Sequence, residues 1–215
     1  MQKKRLAWPD IAKAIAMLLV IAGHSTPPSR IYSLIFSFHM PFFFIMSGYF
    51  YKYRDDNLKK DFLRLICPYI LCIAILGLFL FIDPSSSPYE GYKQLNVSSI
   101  YASGSGANGV KLIGALWFLQ ALFIAKRLLD FIFITFRSEK ARLISVLCLL
   151  IVSVLLAWQK IYLPLGLDVG MMGAVYLYAG YVLKNYCTQL IDKAKPDCTD
   201  RSYFFMVYCL SDRLF

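Results

Sequence analysis

Six apolar stretches close to bilayer length dominate this chain. A helix crossing ~30 Å of hydrocarbon at 1.5 Å per residue needs about 20 mostly apolar residues. The stretches run roughly Leu6 to His24, Ile31 to Tyr51, Leu65 to Ile82, Leu112 to Ile132, Leu143 to Trp158 and Pro164 to Leu183. The second and third are the clearest. The first carries Asp10 and Lys13, the fourth Lys126 and Arg127, and the sixth Asp168. With 59% hydrophobic and only 17% charged residues, the chain suits a bilayer better than water. The predicted fold class is all-α, a polytopic membrane helix bundle of about six transmembrane helices.

The distribution of positive charge gives an orientation. Of the 23 Lys and Arg residues, 18 fall on the side of the amino terminus, four (Arg30, Lys93, Lys111 and Lys160) on the other, and Lys13 within the first span. By the positive-inside rule both termini are expected in the cytoplasm of a multi-pass cell-membrane protein. The first apolar stretch lacks a small-residue cleavage site and leads straight into a second span, so it is expected to stay as an anchor. The Ser, Gly, Pro and Asn-rich stretch Asp83 to Val110 reads as one long outer loop. Residues 1–185 form the predicted membrane domain and 186–215 a polar cytoplasmic tail, in which Tyr203 to Leu210 is too short to cross.

Several function classes are disfavoured. The net charge of +10 comes without a basic stripe interleaved with exposed aromatics, so no nucleic-acid partner is expected. The six cysteines form no Cys-x-x-Cys pair, which argues against a disulfide scaffold or a zinc module.

Ionisable groups within a span cost roughly 2.5 to 3.5 kcal/mol at mid-membrane, which makes each one a functional candidate. Lys13 and His24 lie eleven positions apart, about three helical turns plus 20°, and so share one face with Met17 and Val20 between them. A Lys13 that snorkels to the headgroups, with His24 at the interface, fits the spacing equally. His39 is the other histidine. Pro41 cannot donate to the Ser37 carbonyl, which predicts a polar kink beside His39. If the second helix returns antiparallel to the first, His39 lies about 12 Å below the outer surface, between the depths of His24 and Lys13. A histidine satisfied by backbone carbonyls is the plainer reading of His39. No carboxylate or thiol in the spans accompanies the two imidazoles, so no metal is expected. An imidazole suited to general base work and a fixed cation suited to an anionic donor or oxyanion point to group transfer.

The segment Asp10-Ile-Ala-Lys13-Ala-Ile-Ala-Met-Leu-Leu-Val-Ile-Ala-Gly-His24-Ser25, followed by Phe38-His39-Met40-Pro41-Phe42-Phe43-Phe44-Ile45-Met46-Ser47-Gly48-Tyr49, resembles membrane acyltransferase family 3, in particular its fucose 4-O-acetylase-like branch. Lys60 to Tyr69 resembles that family's basic lead-in to the third helix, Leu116-Trp117-Phe118-Leu119 its Trp-Phe-Leu motif, and Pro164 to Leu183 its sixth span. Trp117 also reads as an ordinary interfacial or packing aromatic. Members of the family usually have more spans than this chain, which therefore reads as a truncated member.

The resemblance implies transfer of an acyl group, usually acetyl from acetyl-CoA, to a hydroxyl of a carbohydrate acceptor, with no permanently bound cofactor. The family's basic residue and histidine, ten residues between them, map onto Lys13 and His24. Lysine keeps the charge of the more usual arginine but loses its two-pronged fork. On this reading His24 is the general base or an acyl carrier, Lys13 stabilises donor charge and His39 completes the site. Arg64, helped by Lys60, takes the CoA phosphates; Phe62 and Arg64 stand where paired arginines would be sought. A transporter or channel using the same polar residues as a path, and an inactive fragment, are the alternatives. The orientation is checked by topology reporters: a phosphatase fused after Lys160 should be active and a carboxy-terminal one inactive, and the reverse pattern would invert the assignment.

Overall fold

A computed structural model describes residues 8–25, 29–53, 57–82, 88–101 and 114–194. Among the described residues no strand occurs, and the architecture is the predicted all-α one. The chain divides into two compact units, Met1–Phe50 with Ala179–Phe215, and Tyr51–Tyr178.

The first unit is built on α1 (Trp8–His24) and α2 (Ser29–Tyr49), which pack against each other. Four residues join them, a reach of at most about 18 Å, whereas α1 is about 26 Å long. The two helices are therefore antiparallel. Helix α1 buries Pro9, Ala16 and Gly23, one residue every two turns, and exposes Ile11, Ile15, Leu18 and Ile21. Small residues on the buried line let the backbones approach, while branched ones face the apolar surroundings. The last part of α8 (Leu167–Ala194) completes this unit. A Cβ at Gly180 would land on the Ile45 carbonyl oxygen and within 2.8 Å of the Tyr49 nitrogen, so the helix crosses α2 backbone to backbone.

The second unit opens with α3 (Asn57–Asp61), one π turn (Phe62–Ile66) and α4 (Cys67–Ile82), stacked end to end. The Cys67 N–H reaches the Phe62 carbonyl to close the wide turn. Pro68 explains it, because its missing N–H orphans the Arg64 carbonyl and its ring needs room there. Helix α5 (Pro88–Tyr101) packs antiparallel on α4: Gly91 sits against Leu80, Gly77 against Tyr92 and Leu95, and the Tyr69 hydroxyl donates to the Ser99 carbonyl at 2.8 Å. Helix α6 (Trp117–Thr135) buries Gln120, Ala121, Leu122, Ala125, Leu129, Asp130 and Ile132, more than any neighbour. Helix α7 (Glu139–Trp158) is joined to the start of α8 by the Ser153 hydroxyl, which donates to the Asp168 carbonyl at 3.2 Å. Gly170 places α8 directly on Ala121 and Ile124 of α6.

Among the described residues, three helical stretches, Leu58–Leu80, Glu139–Trp158 and Pro164–Tyr186, are long and apolar enough to cross a membrane. The other three expected spans form α1, α2 and α6 but fall outside that measure. Helix α6 carries Lys126, Arg127 and Asp130 in its length. The predicted loop Asp83 to Val110 is corrected by α5. Pro88 preorganises its first turn, and packing on α4 rather than apolar periodicity sustains it. Helix α8 runs on to Ala194, past the Leu183 end of the expected span. Residues 195–215, with the Tyr203 to Leu210 stretch, lie outside the described residues. Replacing Gly180 by Ala should destabilise the protein by about 1 to 3 kcal/mol through overpacking; thermal unfolding in detergent unchanged by Gly180→Ala would contradict the backbone contact.

Candidate functional site

Lys13, His24 and His39 all stand on the α1–α2 hairpin. His24 is the last residue of α1, and its side chain lies outside the described residues. His39 is 2% exposed, and its Nδ1 lies 2.6 Å from the Ile35 carbonyl oxygen. A carbonyl can only accept, so Nδ1 carries the proton of this bond. The Ser37 hydroxyl, two residues before His39, donates to the Leu34 carbonyl at 2.9 Å.

Lys13 is exposed and lies about 40 to 80° around α1 from the buried Pro9, Ala16 and Gly23 line, at 100° per residue. It therefore flanks the α2 contact. Its ammonium sits 5.4 Å from the centroid of the Phe50 ring, just past the end of α2 remote from the connection to α1. Helical side chains lean towards their own amino terminus, and Lys13 follows that lean away from His24. A cation on an aromatic face contributes about 0.5 to 2 kcal/mol, more where water is scarce.

Arg64 and Lys60 belong to the second unit, and both are exposed. Arg64 lies in the π turn. Between them Asp61 turns to α6, accepting from Lys126 Nζ at 2.8 Å and from Arg127 at 2.5 Å. Arg127 also reaches Asp130, one turn on, at 2.8 Å, and its guanidinium lies 5.5 Å from the Phe123 ring. The Tyr51 hydroxyl donates to the second oxygen of Asp130. Tyr51 follows the end of α2, and burial, followed by its bond to Asp130, holds its hydroxyl well above the usual phenol range. Two carboxylates, two cations and a phenol match one another in a network whose members are 9 to 22% exposed at the four charged side chains.

Sequence reading passed over Asp61, Asp130 and Tyr51 as site residues. Arg127 and Asp130 are separated by three positions, a spacing that places them on one face and signals half of the network. The partners Tyr51 and Asp61 come from distant segments without any local signal. Gln120 Oε1, at the start of α6, and Asp168 Oδ1, at the start of α8, are buried acceptors without a donor among the described residues. Among the described residues no His, Cys, Asp or Glu cluster suits a metal ion.

Among the described residues the chain is all-helical, with apolar helices of bilayer length, a Lys and two His on one hairpin, and the charges of α6 matched by Asp61 and Asp130, as suits a membrane protein. A family model described as an acyltransferase domain matches residues 6–209. The chain belongs to acyltransferase family 3. Neither the curated proteins nor the solved structures returned a match. Removing one partner from a buried ion pair leaves an uncompensated charge at a cost of about 3 to 5 kcal/mol. Asp130→Ala should therefore lower stability by about 3 kcal/mol and Tyr51→Phe by about 1 kcal/mol in detergent unfolding; equal small effects would argue against the network.

Proposed function

We propose that this membrane acyltransferase moves an acetyl or similar acyl group from acetyl-CoA to a hydroxyl of a cell-surface carbohydrate, as in the fucose 4-O-acetylase-like branch it resembles. The observation carrying the reading is the antiparallel α1–α2 hairpin, which gathers the family's basic and histidine positions, Lys13 and His24, with His39 on a single pair of helices. Both termini lie on the cytoplasmic side, where acetyl-CoA is supplied.

His24 takes the proton of the acceptor hydroxyl as its oxygen attacks the thioester carbonyl carbon. The carbon–sulfur bond then breaks, and the proton on the imidazole passes to the departing CoA sulfur. The charges balance, and the enzyme returns to its starting form. Lys13, with its ammonium turned to the α2 end bearing Phe50, supplies positive charge to the donor. The Nδ1–H bond to Ile35 fixes the His39 ring, so its Nε2 edge completes the site in one orientation. Lys60 and Arg64 hold the CoA phosphates; a single guanidinium offers a fork to one phosphate, and the ammonium a point charge.

His24→Ala should cut transfer of radiolabelled acetyl from acetyl-CoA into membrane carbohydrate by at least about 100-fold, with membrane insertion unchanged. Transfer near the wild-type rate would refute the role of His24.

A further inference from the structure

The cations around the third-helix lead-in fall into two groups by what they touch. Lys126 and Arg127 project from α6 and are matched by Asp61 and Asp130. Two positive charges meet two negative ones, so this cluster carries no surplus with which to draw a polyphosphate. Arg64 stands three residues after Asp61 and is exposed. The segment is held at Asp61 and Phe62 and exposed at Leu63 and Arg64. Asp61 is tied to α6 by two ion pairs, and Phe62 meets the Phe123 ring edge-on at a centroid distance of 6.4 Å. Arg127 covers that same Phe123 ring. Leu63, 56% exposed, and Arg64 face outward, while Leu65 and Ile66 after them are half-buried.

A π turn has one more residue per hydrogen-bonded loop than the α-helix around it, so it sets the azimuth of everything it carries. Here Pro68 requires the wide turn and Asp61 fixes where it starts. The direction of the Arg64 side chain follows from these two constraints. An unanchored helix end would let the turn migrate or fray, and Arg64 would sweep through several orientations at an entropic cost to any anion it binds.

We propose that Asp61 is a positioning residue for the acyl donor: by clamping the start of the π turn to Lys126 and Arg127 of α6, it aims Arg64 at the donor's phosphates without touching the donor itself. This rests on the assignment of Arg64 to CoA. Phe62 is the second point of attachment, and Lys126 and Arg127 are structural cations rather than phosphate ligands.

The test is equilibrium binding of radiolabelled acetyl-CoA to the full chain in nanodiscs, run as a double-mutant cycle. Asp61→Asn should weaken binding about tenfold, and Asp61→Glu, which keeps the charge, should recover most of the loss. Because Asp61 acts through Arg64, Asp61→Asn combined with Arg64→Gln should bind no worse than Arg64→Gln alone. A loss in Asp61→Asn that adds fully to that of Arg64→Gln, or wild-type binding in Asp61→Asn, would overturn the positioning role while leaving the donor assignment standing. Wild-type binding in Arg64→Gln, or none in the unaltered protein, would instead remove the donor assignment and the clamp's role with it. Should Asp61→Asn fail to fold, Lys126→Met removes half of the clamp and the same cycle with Arg64→Gln is decided by the same non-additivity.

Discussion

A helix that carries two cations and a carboxylate can lie at the centre of an apolar bundle only if its charges are answered within it. Helix α6 is both the most buried helix of its unit and the one bearing Lys126, Arg127 and Asp130. A bare charge in such surroundings costs several kcal/mol. Asp61, one turn before α4, and Tyr51, just after α2, arrive from outside the helix to meet that demand. The matched network thus fixes the chain on both sides of Asn57 against α6. Small residues then allow close packing at the remaining contacts, with Ala121 and Ala125 fully buried and Gly170 resting on Ile124.

The α1–α2 hairpin works on a different principle. Its buried line is made of the small residues Pro9, Ala16 and Gly23, so the backbones approach there and the other positions of α1 flank the contact. Lys13 occupies such a flank and reaches an aromatic ring rather than a carboxylate. An ammonium held by a ring keeps its charge available to an anion, which a carboxylate partner would cancel. That contrast between Lys13 and the paired cations of α6 supports the proposal that puts donor chemistry on the hairpin.

Much of the fold was legible from hydropathy. The expected ends at His24, Ile82 and Trp158 coincide with helix ends, and the second span ends at Tyr49 against an expected Tyr51. Apolar runs are readable because lipid selects on composition residue by residue. Helix α5 was not, since it is polar and depends on Gly77 and Leu80 of α4. The π turn was half legible: Pro68 announces a disturbed ladder without saying how it resolves. At the candidate site, Lys13, His24 and His39 were found as ionisable groups in apolar stretches. The same rule pointed to Lys126 and Arg127, but their partners lie 65 and 66 positions away at Asp61, a separation that no local pattern encodes. Asp61 itself sits in a basic, polar stretch where a carboxylate is unremarkable.

The account stands on Lys13 and His24 facing water rather than fatty-acyl chains, with the donor reaching Lys13. Substituted-cysteine labelling addresses this directly, with Lys13→Cys and His24→Cys each placed in a cysteine-free background and treated with a charged, water-borne thiol reagent. Both should react, and acetyl-CoA should shield the cysteine at position 13. Failure of both positions to react, or labelling at position 13 indifferent to acetyl-CoA, would contradict it.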